Sequence, residues 1–361
     1  MRRPVVKLEE KKQWLMFNQS IKRIGWACKY VADPSLSKAD AQLDESQYRE
    51  RSTTRAWLAR QPPADAESRM LDIISNNAAS LLRLVEWCGS QEPSLRMMRI
   101  GSGQLPLYTH SDWRDWWQRS DIQTLCETSY RKVGEAARRL DVRLSMHPGQ
   151  FTCLASDRDE VVARSVEEME YHGDLIRWMG YGVKFQDFKC NVHVSGRRGT
   201  AGIRAIYPHL SPEVRNTITL ENDEYSTGLD ELITLADLVP LVVDNHHHFI
   251  HSHGEILRPA DDRYKTAVDS WRGVRPVMHY SASREVYTAD DDPWQLPDWD
   301  AMIKRAPRGK LRAHSDSYTN YALNDLMLEF WQYTDIMAES KLKNLASHGI
   351  LADWRSRHHI A

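Results

Sequence analysis

CNVHVS (190–195), TITLEND (217–223) and PLVVDNHH (240–247) are three short apolar runs in succession. Each ends in side chains able to hold a metal or move a proton: His193, Glu221, and Asp244 with His247. Short apolar runs alternating with longer amphipathic stretches are the pattern of repeated βα units. Outward from this centre the pattern recurs in IGWACKY (24–30), SLRMMRI (94–100), VRLSMH (142–147), RPVMHYS (275–281) and KLRAHS (310–315), which makes eight candidate strands. Helical periodicity fills 67–88, 122–140 and 159–180, with shorter or weaker helices at 228–238 and 261–271 and a closing one at 324–349. Eight strands, each followed by a helix, predict a TIM (β/α)8 barrel, with a doubly wound open sheet as the competing architecture. The reading takes 1–361 as one barrel domain, with residues 1–22 as a basic extension, an insertion after strand 1 (31–66) and another between strands 7 and 8 (282–309).

Composition fits this frame. Over 361 residues, 41% are hydrophobic and 27% charged, as in a globular chain with a buried core. No apolar run reaches the ~18 residues of a membrane span, and the N-terminus has no apolar signal core, so the expected location is cytoplasmic. The five cysteines are widely spaced and never form C-x-x-C, which predicts reduced core residues and no zinc ribbon. A formal net charge of -2 gives no global attraction to nucleic acid, although residues 1–23 carry seven Lys or Arg against two Glu. Any DNA surface must therefore be local.

In a TIM barrel the C-terminal ends of the strands converge on one mouth. The residues at or near those ends are His147, His193, Glu221, Asp244, His247, His279 and His314, with His110 just after the second strand and Glu339 on the expected last helix. One histidine near a strand end is more often structural than a ligand. Four that close successive units or nearly so, His193, His247, His279 and His314, are not explained by chance. His with Asp and Glu, and no cysteine, suits manganese, zinc or iron better than a structural zinc site. Glu221 and Glu339 are the candidate bridging carboxylates between ions ~3.5–4 Å apart, an arrangement fitted to phosphodiester hydrolysis. No G-x-S-x-G, P-loop or dinucleotide fingerprint competes.

HPGQF (147–151) adds a tight Pro-Gly turn that would present Gln150 and Phe151 over the mouth as a polar probe and an apolar wedge; the same two residues would equally serve to cap the third strand. His246 and His248 are expected to point elsewhere. His251, His253, His172, His348, His358 and His359 read as bystanders.

These segments together, with MRIGSGQLPLYTH, NVHVSG, LENDE, MHYSA, RAHSDSY and the E-x-K of AESK (338–341), resemble the UV damage endonucleases, which are xylose-isomerase-like TIM barrels. The resemblance implies a DNA-repair endonuclease that nicks duplex DNA on the 5′ side of cyclobutane dimers and 6–4 photoproducts. It implies two or three divalent ions, foremost manganese, with magnesium, zinc or cobalt as alternatives. The implied metal ligands are His110, His147, His193, Glu221, Asp244, His247, His279, His314 and Glu339. Glu221, Glu339 and Lys341 would be catalytic, Gln150 and Phe151 would probe the lesion, and Trp26 and Tyr30 would line its pocket. The implied partner is damaged double-stranded DNA, bound by a monomer at the nucleoid without a membrane or an obligate protein partner. The chain departs from the family in having Phe151 where many relatives have Tyr, Tyr30 where a smaller polar residue is expected, and Val277 where a modified metal-bridging lysine is common. An abasic-site endonuclease of the endonuclease IV type, a sugar isomerase and a non-catalytic lesion-binding relative are the alternatives.

Overall fold

The computed structural model describes residues 21–149, 151–284, 291–358 and 360. Eight parallel strands form one sheet in the order β6-β5-β4-β3-β2-β1-β8-β7. They are β1 (Ile24–Cys28), β2 (Met97–Ile100), β3 (Arg143–Met146), β4 (Lys189–His193), β5 (Ile218–Glu221), β6 (Leu241–Val242), β7 (Val277–Tyr280) and β8 (Asp335–Ala338). A parallel bridge between Asp244 and His279, with the His279 N–H donating to Val243 O at 2.9 Å, links β6 to β7 and brings the ends of the sheet together. The TIM barrel expected from the sequence is thereby observed, and the open sheet is not.

β4 starts one residue before its predicted run, at Lys189, and the other six of the first seven strands fall within theirs and are shorter than them. The eighth does not. KLRAHS is not a strand: residues Arg308–Leu311 form one helical turn, and His314 meets Ser283 only through an isolated antiparallel bridge. The barrel is closed instead by DIMA (335–338), which pairs with β1 through Ile24–Ile336 and with β7 through His279–Met337. The predicted helix 324–349 is accordingly two, Tyr321–Trp331 and Lys343–His358, on either side of β8. Ile336, Met337 and Ala338 suit a helix as well as a strand, so a four-residue run inside a longer apolar periodicity leaves no local mark; the vacant place between β1 and β7 decides it. Glu339 consequently follows a strand and is not on a helix. The connection between strands 7 and 8 is also longer than the predicted 282–309 and carries His314.

Alternation along each strand divides the interior into floor and mouth. Met97, Val242, Val277 and Met337 form a small buried apolar group with Trp271. Below it, Asp335 is fully buried and accepts from Arg143 Nη1 and Arg275 Nε, each at 2.6 Å, and from the Arg23 N–H at 2.9 Å. The larger core lies between the strands and the outer helices. There Gly134 is required by close approach: a Cβ would stand 1.8 Å from Met179 O. The first insertion contains the helices Lys38–Ser46 and Arg55–Leu58, and its end at Pro63 begins the 28-residue helix Pro63–Ser90. All five cysteines are free thiols. No helix among the described residues is long and apolar enough to cross a membrane.

Candidate active site

Glu221, the last residue of β5, is the centre of the mouth. Its Oε2 lies 3.7 Å from His147 Nε2 and 3.7 Å from His193 Nε2; its Oε1 lies 3.2 Å from His247 Nδ1 and 3.1 Å from His279 Nδ1. His279 Nδ1 is also 3.1 Å from Glu339 Oε1, and His314 Nδ1 approaches Glu339 Oε2 at 4.0 Å. Asp244 joins Glu221 and His279 in a group whose donor atoms lie within 4.8 Å of one another; a second such group is His147, His193 and Glu221, and a third is His193, His247 and Glu224, a carboxylate absent from the expected set. Eight of the nine predicted ligands therefore meet at one opening.

The ninth, His110, does not. It follows the turns after β2 and caps the short helix Ser111–Trp113, its Nδ1 accepting from the Asp112 N–H at 3.1 Å. Asp112 is itself paired with Arg55 of the first insertion. Lys341 also stays out: its side chain is 48% exposed and pairs with Asp316 at 3.5 Å. Trp26 is buried edge-on to Trp87, with ring centroids 5.9 Å apart, and lines no surface. Tyr30 does, in a cavity of about 480 Å3 shared with Tyr48, Glu50 and Gln104. Phe151 stands at the rim of the mouth, 86% exposed, while Gln150 lies outside the described residues.

The ligand types are held by a layer that the sequence reading missed. Asp244 Oδ1 caps the helix Asn245–His251, accepting from the N–H groups of His246 at 2.7 Å and His247 at 2.8 Å, while Oδ2 accepts from Ser281 Oγ at 2.7 Å. Asn222 donates to and accepts from the Asp244 backbone at 3.0 and 2.8 Å. Asp223 Oδ2 faces His193 Nδ1 at 3.5 Å, Asn191 donates to Glu221, and Arg99 pairs with Glu339. Lys189 Nζ lies 2.8 Å from His279 Nε2, so a lysine reaches the cluster from β4, while Val277 packs in the floor. Period-2 alternation from His193 through Asn191 to Lys189 was the available signal for that residue. His246 and His248 point away as expected, to Leu311 O at 3.0 Å and Glu255 at 3.3 Å.

The two glutamates keep their charge in spite of burial. Burial opposes ionisation of Glu221, but the neighbouring imidazoles, His279 and His193 first and then His147 and His247, outweigh it and hold its pKa well below the usual range. Glu339 is likewise held low against burial, by Arg99 and then His279. Burial pushes His147 down to about 4 and Lys189 down to about 7. Glu221 Oε1 and His279 Nδ1 are both buried without a hydrogen-bond partner although they face each other. Two ligands of one ion, each about 2.0–2.2 Å from it, stand about 3–4 Å apart, which is the spacing found here. The donor set fits divalent ions.

Comparison with known proteins gives the family and the fold. The family described as "UV-endonuclease UvdE" matches residues 22–357. A UV DNA damage endonuclease of Nostoc sp. is 27% identical over 267 residues, covering 73% of this chain and 76% of that one. A UV-damage endonuclease of Schizosaccharomyces pombe is 27% identical over 285 residues, or 75% of this chain; the match spans only 42% of that longer protein. The crystal structure of SacUVDE shares the fold with a TM-score of 0.70 at 20% identity, covering 94% of this chain and 99% of that one.

Proposed function

Because the chain belongs to the UV-endonuclease UvdE family, a family of DNA-cleaving repair hydrolases, we propose that it incises duplex DNA on the 5′ side of ultraviolet photolesions in a reaction that needs divalent cations, foremost manganese. The observation that carries the reading is Glu221, one buried carboxylate within 3.1–3.7 Å of four imidazoles at the base of an opening of about 820 Å3. Ions held by Glu221, Asp244, Glu339 and the five histidines around them would supply the Lewis acidity that phosphodiester hydrolysis requires.

The chain's own residues do the positioning. Asp223 orients the His193 ring, Ser281 and the capped helix fix Asp244, and Arg99 and Asn191 hold the two glutamates, so the donors are set before substrate arrives. Phe151, exposed on the turn after His147, serves as the apolar wedge, and it enters most easily where damage has weakened stacking. Tyr30, its ring 4.6 Å from Tyr48 and its hydroxyl donating to Asp44 at 2.9 Å, lines the cavity read as the lesion pocket. The first insertion supplies Asp44 and Tyr48, so it shapes that pocket.

The test is incision of irradiated plasmid, undamaged plasmid and abasic duplex, with chelator and with added manganese. Nicking of irradiated DNA alone, abolished by chelator and restored by manganese, supports the reading. Nicking of abasic duplex alone would transfer the assignment to an abasic-site endonuclease. Binding of irradiated DNA without nicking would make the protein a lesion-binding relative.

A further inference from the structure

We propose that Arg312, clamped between the carboxylate of Glu224 and the ring of Tyr225, grips a backbone phosphate of the DNA beside the metal cluster. This rests on the reading of the protein as a DNA endonuclease.

The mouth has a charge problem. Asp223, Glu224 and Glu339 line it, and the chain as a whole is slightly acidic, yet the substrate is a polyanion. Two arginines and no lysine line the same opening among the described residues, Arg99 and Arg312. Arg99 is almost buried and committed to Glu339. Arg312 differs, because its side chain remains 49% exposed although its Nε–H donates to Glu224, a carboxylate only 6% exposed.

The surroundings hold that guanidinium in place. Its carbon lies 4.9 Å from the centre of the Tyr225 ring, and that of Arg308, one helical turn earlier, lies 4.9 Å from the same ring. Arg308 also donates to Glu224 O at 2.9 Å. An arginine stacked on an aromatic ring and tethered through Nε has lost most of its rotamer freedom before binding, and its two terminal NH2 groups form the fork that suits a phosphate. A lysine would offer charge without the fork. The other Glu224 oxygen is 3.8 Å from His247 Nε2, and Glu224 itself belongs to the group formed with His193 and His247, so the guanidinium stands directly beside the ligand groups. The segment 308–312 belongs to the long connection between β7 and β8. That connection thus delivers a cation to a site whose other contents favour cations over DNA.

The experiment measures binding of irradiated duplex to the whole protein in chelator, by fluorescence anisotropy between 50 and 200 mM salt, for the wild type, Arg312→Ala and Arg312→Lys. Releasing one phosphate contact lowers the slope of log K against log salt by about 0.9. Arg312→Ala is expected to weaken binding about tenfold and to lose that much slope; Arg312→Lys is expected to keep the slope and lose affinity. The manganese-induced rise in melting temperature should be unchanged in both. Unchanged affinity and slope in Arg312→Ala would overturn the inference, as would loss of the manganese response, which would mean that Arg312 only positions Glu224. Wild-type protein that binds irradiated and undamaged duplex equally would instead count against the lesion reading, while the slope still reports on the phosphate contact.

Discussion

Replacing Glu221 by Gln keeps the shape of the side chain and removes the charge at the point where the ligand groups meet. Glu221 belongs to two of the three groups that are able to hold a cation, and it lies within 3.1–3.7 Å of four imidazoles. Loss of a residue that only supports a ligand typically weakens metal binding 10–100-fold, so loss of the shared carboxylate should weaken it by about 100-fold or more. With manganese at about 100 times the wild-type Kd, binding stabilises the folded protein by ~2.7 kcal/mol, which for a chain of this size is a rise in melting temperature of about 3.5 °C. At the same concentration the variant is only half saturated or less, and its gain falls to ~0.4 kcal/mol or below, about 0.5 °C. Thermal unfolding of chelated protein titrated with manganese reads both numbers without any need for catalysis. An equal shift in the wild type and Glu221→Gln, or no shift in the wild type, would refute the placement of ions around this carboxylate.

Other outcomes follow from the same geometry. His247→Ala should abolish incision while the far-ultraviolet circular dichroism stays native, because His247 sits at the mouth and not in the barrel floor; retained nicking would remove it from the ligand set. Phe151→Ala should leave melting temperature unchanged, since the ring is 86% exposed, and should weaken binding of irradiated duplex by about tenfold, in line with the ~1–3 kcal/mol of a base–aromatic stack; equal affinity for damaged DNA would exclude the wedge. His172 is fully buried, its Nδ1 2.7 Å from Glu168 O, and burial pushes its pKa down to about 4. The unfolded chain takes up that proton near pH 6.5 and the folded one does not, so stability is complete above 6.5 and falls by on the order of 3 kcal/mol as pH drops to about 4. His172→Gln should flatten that part of the melting profile, and an unchanged acid slope would show that other groups carry it.

The residues that make this chemistry were legible because they are recorded one strand end at a time. His147, His193, Glu221 and His279 each close or directly follow a short apolar run, and a barrel turns that local position into a shared one. Where several answers share one local signal, the sequence was silent or misleading. DIMA (335–338) has the composition of its helical neighbours, and only the gap between β1 and β7 makes it a strand. KLRAHS has the look of the other strand ends, but with the barrel already closed it folds as a turn and a loop, which still bring His314 to Glu339 from outside the sheet. His110 carries the right imidazole in the right order, but its Nδ1 is taken by the Asp112 N–H at the cap of a short helix.

Local sequence thus determined which strand ends carry donors, because side-chain identity and period-2 burial are properties of a few neighbouring residues. Tertiary structure alone decided which donors meet and what holds them. Arg99 reaches Glu339 across 240 residues and Lys189 reaches His279 across 90. Arg312 reaches Glu224 across 88. Contacts between residues so far apart leave no period in the chain and exist only once the barrel has closed.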